Sequence, residues 1–361
     1  MFIKSLTLSG FRNYDSLDME FGKGTNILYG DNAQGKTNIL EALYLCGTTK
    51  SHKGSKDREM IELGREESHI RMFVERDGIT RRIDMHLKKN KPKGVAIDGI
   101  PIRKSSELFG IVNMVFFSPE DLGIIKDGPG ERRRFIDLEL CQLDKIYLHN
   151  LVSYNKVLNQ RNNLLKQIGF NSSLLDTIQI WDDQLEQYGK GIIRTRREFL
   201  QELGEIIQNI HKELSGGAEE LTIRYEPNVP EEELGDKLKR NRERDLALKM
   251  TNSGPHRDDM GFFLASGDIR RFGSQGQQRT AALALKLAEI ELVKKRIKDN
   301  PILLLDDVLS ELDRKRQTLL LGGIHDIQTV ITCTGLEEFV NNRVKYDRIY
   351  QVVEGTVTSK N

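Results

Sequence analysis

The sequence predicts an α/β fold with mixed sheets and a compact, mainly helical second lobe, and three observations predict it. Residues 27–37 read I-L-Y-G-D-N-A-Q-G-K-T, which sets Gly30, Gly35, Lys36 and Thr37 on the pattern G-x-x-x-x-G-K-[ST]. An apolar run precedes this stretch and the helically spaced N-I-L-E-A-L-Y-L follows it, the context of a phosphate-binding loop. Asp77-Gly78 and Asp98-Gly99 each separate two alternating apolar runs, the mark of hairpins in antiparallel sheet. Apolar residues then recur every three to five positions from Phe135 to Leu165 and from Ile178 to Ile210, which predicts two long helices.

The loop implies its chemistry. A triphosphate must be met by inward-pointing backbone N–H groups, so glycine is needed where a side chain would block the turn. The helix behind it adds free N–H groups and the positive end of its dipole. Gly30, Asp31, Asn32, Ala33, Gln34, Gly35, Lys36 and Thr37 form the expected cradle. Lys36 is expected to reach the β- and γ-phosphates and the Thr37 hydroxyl to hold Mg²⁺.

Composition narrows the class. The 361 residues carry 55 Lys and Arg against 54 Asp and Glu, so a nucleic-acid partner would have to be met by a local patch. Cys46, Cys141 and Cys333 are far apart and form no C-x-x-C pair, which argues against a zinc site or a disulfide framework and for a reducing compartment. No apolar run approaches the roughly 18 residues of a membrane span. The chain opens directly in strand-like sequence, so a cytoplasmic protein without membrane association is expected.

In chain order, residues 1–29 read as two strands meeting the phosphate loop. Arg12 and Asn13, in G-F-R-N-Y, read as a surface turn ahead of a contact to adenine or phosphate. The hairpins follow, with Lys88 to Lys93 as a solvated loop tip, and I-V-N-M-V-F-F is a buried strand ending at Ser118. The two long helices, joined near residues 169–173, form an antiparallel pair, and their heptads are too short-lived for a long coiled coil. Arg132-Arg133-Arg134 reads as an exposed helix face or as salt-bridge partners before it reads as a phosphate contact. Residues 231–249, with Lys237, Lys239, Arg240, Arg242 and Arg244 among acids, read as a solvated helix first and a nucleic-acid surface second. In S-G-P-H-R-D-D, His256, Asp258 and Asp259 are expected to be structural before they are metal ligands, since neighbours on a strand point to opposite sides.

Ser274-Gln275-Gly276-Gln277-Gln278 opens a strongly helical stretch, and the strand I-L-L-L-D-D follows, ending in Asp306 and Asp307. Beside the phosphate-loop strand, Asp306 would hold Mg²⁺ through water and Asp307 would stand by the attacking water. The order of these motifs, continued by S-E-L-D and V-I-T-C-T, resembles the ATP-binding-cassette ATPases. In those proteins the S-x-G-Q helix start of one subunit caps the γ-phosphate held by another.

Within that superfamily, G-F-R-N-Y, G-D-N-A-Q-G-K-T, F-F-S-P-E-D-L, G-P-H-R-D-D, G-S-Q-G-Q-Q-R-T and L-L-L-D-D-V-L-S-E-L-D together resemble the RecF family of DNA replication and recombination repair proteins, over essentially the whole chain. The resemblance implies an ABC-type P-loop ATPase head like those of SMC and Rad50. The head would comprise residues 1–118 and 253–361, with a compact helical lobe over 119–252. It implies ATP and Mg²⁺ as cofactors and an ATP-dependent homodimer. It further implies binding to gapped and double-stranded DNA, cooperation with RecR and RecO, and assistance to RecA loading.

Carried over residue by residue, Lys36 and Thr37 serve phosphates and magnesium, Asp306 the magnesium, and Ser274, Gly276 and Gln277 the partner's γ-phosphate. Arg12 and Asn32 match positions near the nucleotide, and Asp307 with Lys36 are the catalytic candidates. Two departures from transporter-type cassettes imply slow hydrolysis: Asp307 replaces the usual glutamate, and Thr332 and Thr334 lie where a histidine is expected. The magnesium-sensing glutamine has no clear counterpart, and Glu120 or a neighbour takes its place. A transporter ATPase subunit lacks a coupling surface here, and a DNA-bridging tether lacks its coiled coil.

Overall fold

The computed structural model describes residues 1–217, 219–324, 326–336 and 345–360. The chain divides into two compact units, residues 1–121 with 289–361, and residues 122–288. The first unit begins with β1 (Phe2–Phe11), β2 (Tyr14–Glu20), β3 (Thr25–Tyr29), α1 (Lys36–Thr48), β4 (Glu67–Arg76), β5 (Ile79–Lys88), β6 (Gly94–Ile97), β7 (Ile100–Pro101) and β8 (Met114–Phe117). The second unit holds α2 (Leu122–Lys126), α3 (Pro129–Leu143), α4 (Lys145–Ile168), α5 (Ile178–Leu214), β9 (Thr222–Glu226), α6 (Leu234–Arg240), α7 (Arg242–Leu248), β10 (Asp259–Leu264), β11 (Gly267–Asp268) and α8 (Ile269–Phe272). A long helix, α9 (Gln275–Ile297), runs across the boundary, and the first unit resumes with β12 (Ile302–Asp306), α10 (Arg314–Gly323), β13 (Thr329–Cys333), β14 (Arg348–Val353) and β15 (Thr356–Lys360).

Among the described residues the first unit has two sheets. One runs β2-β1-β4-β5-β6-β7 and is antiparallel throughout. Its turns are those the dipeptides require, with φ of 52° and 76° at Asp77 and Gly78 and 53° and 82° at Asp98 and Gly99, both in the left-handed region that a tight hairpin needs. The other runs β15-β14-β3-β13-β12-β8 and is parallel except for the β15 edge. β12, β13 and β8 are buried at every position, as expected of parallel strands covered on both faces.

Helix α1 contributes Ile39, Leu40, Leu43 and Leu45 to a core shared with Leu6 and Met72 of the first sheet and Leu304 and Val330 of the second. A helix apolar all round can only be stable when enclosed. Buried Gln328 ties the two layers: its amide donates to the carbonyls of Ile3 (2.8 Å) and Gly22 (2.7 Å) and accepts from the Ile3 N–H (2.6 Å). Among the described residues no helix is long and apolar enough to cross a membrane.

The structure differs from the sequence reading in four places. Residues 1–29 make three strands, because β3 leaves the hairpin sheet to pair with β13 and β14. The first long helix is two, α3 and α4: the Asp144 side chain accepts from the N–H of Ile146 (2.7 Å) and Tyr147 (3.0 Å), an N-cap that starts a new helix. Lys93 is not a solvated tip, since its ammonium donates to the Thr49 carbonyl (2.5 Å) and Asp57 (2.8 Å). Residues 253–288 pack with the helical unit rather than with the head, because β10 pairs with β9 and β11 and its first residues are gripped from α3 and α5.

That grip is a buried polar hub. Arg132 makes a bidentate pair with Asp259 at 2.6 and 2.9 Å. Arg196, 2% exposed, donates to the Tyr147 hydroxyl (3.0 Å), the Pro255 carbonyl (2.7 Å), Asp258 (3.0 Å) and Asp137 (2.8 Å). The His256 ring sits between the Tyr154 hydroxyl at Nδ1 (2.7 Å) and the Thr251 carbonyl at Nε2 (3.0 Å). His256, Asp258 and Asp259 are thus structural, as is Arg132, a salt-bridge partner rather than a phosphate ligand. Farther along α4, buried Arg161 pairs with Asp182 and Asp245, both at 2.7 Å.

Candidate nucleotide-binding site

The loop between β3 and α1 has the backbone its sequence demands. Gly30, Ala33 and Gly35 have φ of 155°, 65° and 113°. A Cβ on Gly30 would lie 2.2 Å from the Val352 carbonyl oxygen, and one on Gly35 2.6 Å from the Asn13 amide, so neither position admits a larger residue. The loop is held from outside. Asn13 donates to the Gln34 carbonyl (3.1 Å), the Gln34 side chain accepts from the Glu354 N–H (2.6 Å), and the Gly355 N–H donates to the Gln34 carbonyl (3.1 Å). The turn joining β14 and β15 therefore buttresses the cradle, an interaction spanning over 300 residues of sequence that no local pattern reveals.

Inside the loop the Lys36 ammonium donates to the carbonyls of Gly30 (2.5 Å) and Asp31 (2.7 Å). Burial lowers its pKa, and the nearby charges of Asp307, Asp306 and Asp31 work against that shift. The Thr37 hydroxyl donates to Asp306 Oδ1 at 2.8 Å, and the Thr332 hydroxyl donates to the same oxygen at 2.8 Å. Burial pushes the Asp306 carboxyl above the ordinary range, although both hydroxyls favour its charged form. Thr332 also accepts from the Asp307 N–H (2.9 Å). Asp307 itself has φ of 53°, a left-handed conformation that Asp tolerates better than most residues, so the strand ends abruptly after Asp306.

The start of α9 is a reciprocal cap. The Ser274 hydroxyl accepts from the Gln277 N–H (3.3 Å) and the Gln277 side chain accepts from the Ser274 N–H (2.7 Å), the arrangement of a capping box. Ser274, Gln275 and Gly276 are exposed. Among the described residues a Cβ on Gly276 would meet only the Ser274 hydroxyl, at 3.9 Å, so their packing does not require glycine there.

With this geometry in view, relatives identify the family. The family described as RecF/RecN/SMC N terminal domain matches residues 2–358. A protein of Lachnoclostridium phytofermentans named DNA replication and repair protein RecF is 69% identical over 357 residues, covering 99% of both chains. This chain belongs to the RecF family. A like-named protein of Agathobacter rectalis is 63% identical over 99% of both chains. A solved RecF–ATP structure, described as a recombination mediator of the RecFOR pathway, superposes with a TM-score of 0.93 at 35% identity, covering 100% of this chain and 98% of that one. An Smc head from Pyrococcus furiosus shares the fold alone, at TM-score 0.58 and 17% identity.

Among the residues a RecF-family site was expected to use, the structure brings together Lys36, Thr37, Asp306 and Asp307. Asn32 and Ala33 lie on the outer turn of the loop. Arg12 is held against α1: its guanidinium makes a bidentate pair with Glu41 (2.7 and 2.8 Å) and donates to Ser55 (2.8 Å) and the Glu59 carbonyl (2.7 Å). Burial pushes the Glu41 carboxyl up, and the bonds from Arg12 and Ser51 more than reverse it. Asn13, not Arg12, touches the loop. Of the two threonines in the histidine's place, Thr332 is buried beneath the acidic pair and Thr334 is exposed past the strand end. Glu120 and Lys53 both lie close enough to act electrostatically on Asp306; Lys53 carried no signal in the sequence.

Proposed function

We propose that this RecF-family chain binds ATP with Mg²⁺, dimerises around it, and acts as a recombination mediator on duplex or gapped DNA near single-strand junctions. RecR and RecO are its partners and RecA loading in repair and replication restart is the step it assists, in the cytoplasm. The observation that carries this reading is the exposed start of α9, where Ser274, Gln275 and Gly276 face solvent at the first turn of the helix. A long helix begins there, so its dipole and its unpaired N–H groups favour an anion. A second copy would bring its γ-phosphate to that point, and nucleotide binding then drives association by mass action.

Residues of this chain divide the work. The ammonium of Lys36 exchanges its two carbonyl partners for phosphate oxygens, while the glycines let the loop N–H groups approach. Thr37 and Asp306, a hard-oxygen pair already in contact, would hold magnesium, which would supply positive charge to the phosphates. Asp307 orients and deprotonates water from a position one methylene shorter than glutamate, and neither Thr332 nor Thr334 offers an imidazole. Hydrolysis is therefore slow, DNA-stimulated, and used to release the dimer. Arg12 supports the loop edge through Glu41 on α1.

The test is size-exclusion chromatography with light scattering in ATP and Mg²⁺. Ser274→Arg keeps nucleotide binding and loses the ATP-dependent dimer, because the long cation fills the anion seat. A dimer of wild-type stability in this variant overturns the shared site.

A further inference from the structure

We propose that a hollow in the second unit, formed by α6, α7 and the G-P-H-R turn, is a seat for the phosphate backbone of duplex DNA. It is a cavity of about 380 Å³ that Lys237, Arg244 and Arg257 enter from three segments of the chain. This rests on the DNA-binding reading above and gathers into one seat residues that the sequence reading left apart.

Charge is the first argument. Among the described residues none of the three cations forms an ion pair, whereas their neighbours do: Arg242 bonds Asp182 (2.7 Å) and Arg240 lies 3.8 Å from Glu233. No carboxylate lines the hollow. Asp245, the acid nearest in sequence to Arg244, is turned into the interior and paired with Arg161. Three like charges converging without a counter-ion raise the local potential and concentrate anions.

The wall is the second argument. The remaining lining is Asn228, Asn241, Asn252 and Ser253, and each side chain is fixed. Asn228 accepts from the Gly254 N–H (3.0 Å), Asn241 donates to Ser253 (2.6 Å), and Asn252 donates to Asp245 (3.0 Å). A rigid rim of amides around flexible cations suits oxyanions, which take hydrogen bonds and charge together. No aromatic or aliphatic side chain lines the cavity. A nucleoside would need an apolar surface, and single-stranded nucleic acid is held by stacking platforms. What fits is a backbone whose bases are stacked and paired elsewhere.

Arg257 also resolves the motif that contains it. In G-P-H-R-D-D the His and both Asp residues point into the hub, and Arg257 alone leaves it for solvent. The hub therefore fixes the turn that aims Arg257 at the hollow.

The experiment is fluorescence anisotropy of a labelled duplex with the full chain, ATP and Mg²⁺, across a salt series. The variants are Lys237→Ala/Arg244→Ala/Arg257→Ala and, as control, Arg240→Ala. The triple variant is expected to bind duplex about ten- to hundred-fold more weakly, whatever the sequence, with the slope of log K against log salt reduced by roughly two to three. Its thermal melt and ATP binding stay those of the wild type, and Arg240→Ala changes little. Wild-type affinity and slope in the triple variant overturn the proposal while leaving DNA binding intact, and a wild-type chain that binds no duplex overturns both readings. Tripolyphosphate that raises the melting temperature of the wild type but not of the variant, with duplex binding unchanged between them, assigns the hollow to a free oligophosphate and overturns the duplex assignment.

Discussion

Each unit holds a cluster of buried charge, one around Arg196 and one around Lys36, and these two are built to opposite rules. Around Arg196 every nitrogen of the guanidinium donates, to Asp137, Asp258, Tyr147 or the Pro255 carbonyl, and burial closes the group to any ligand. Around Lys36 the ammonium rests on two backbone carbonyls, and among the described residues no carboxylate pairs with it. The first network is closed and holds segments together. The second is open, its partners being ones a phosphate can replace at little cost. Both clusters contain a pair of adjacent aspartates, and only the partners distinguish the hub from the site.

Breaking the closed cluster should have the largest effect on stability. Arg196→Ala would leave Asp258 and Asp137 without their cation, and loss of one partner of a buried pair costs about 3–5 kcal/mol. Urea denaturation should show this loss, while the same measurement on Lys36→Met should move by no more than about 1 kcal/mol. If the two variants were equally stable, the distinction between the clusters would be wrong.

The hub also has a signature in pH. Burial, with the charges of Arg257 and Arg133, lowers His256 to about 4, against the bond that raises it from the Thr251 carbonyl. Its ordinary value is about 6.5. Between those values the unfolded chain carries the proton and the folded chain does not. Stability from this group is therefore complete above about pH 6.5 and falls as the pH drops toward 4, by up to about 3 kcal/mol. Thermal melts of the wild type and His256→Gln should converge over that range as the wild type loses its advantage; a difference constant with pH would place the proton elsewhere.

At the open cluster the effect is on binding. Lys36→Met removes charge-assisted hydrogen bonds to phosphate, so ATP affinity by calorimetry should fall roughly ten- to hundred-fold. Nucleotide-dependent DNA binding should fall with it.

What the sequence made legible follows the same division. The phosphate loop, the hairpins and the acidic strand end are local patterns, in which backbone conformation is set by residues within a few positions. Gly30, Gly35 and the two Asp-Gly turns took the φ values their residues demand. The closed hub was illegible because it is made by Arg132 and Arg196 meeting Asp259 and Asp258, partners 127 and 62 residues apart. The same distance hid the Glu354–Gly355 buttress of the loop. The Arg12–Glu41 pair was illegible because an arginine near a phosphate loop and one paired to a helix carboxylate look alike until the helix facing it is known. The helix break at Asp144 was readable in principle, since an aspartate before an amphipathic run is a cap signal.

The smallest effect offers the sharpest separation of folding from assembly. Gly276 lies in the first turn of α9, where alanine is a better helix former by up to about 1 kcal/mol. Among the described residues, beyond its chain neighbours and its own helix backbone, nothing comes nearer to a Cβ there than the Ser274 hydroxyl at 3.9 Å. Gly276→Ala should therefore melt at the wild-type temperature or slightly above, and the monomer should bind ATP unchanged. If a second copy's phosphate approaches this backbone closely, the added methyl weakens the ATP-dependent dimer several-fold, as sedimentation across a concentration series would read. A variant both as stable and as dimeric as the wild type would show that the glycine marks no close approach, and that any anion at this helix start is held by Ser274 alone.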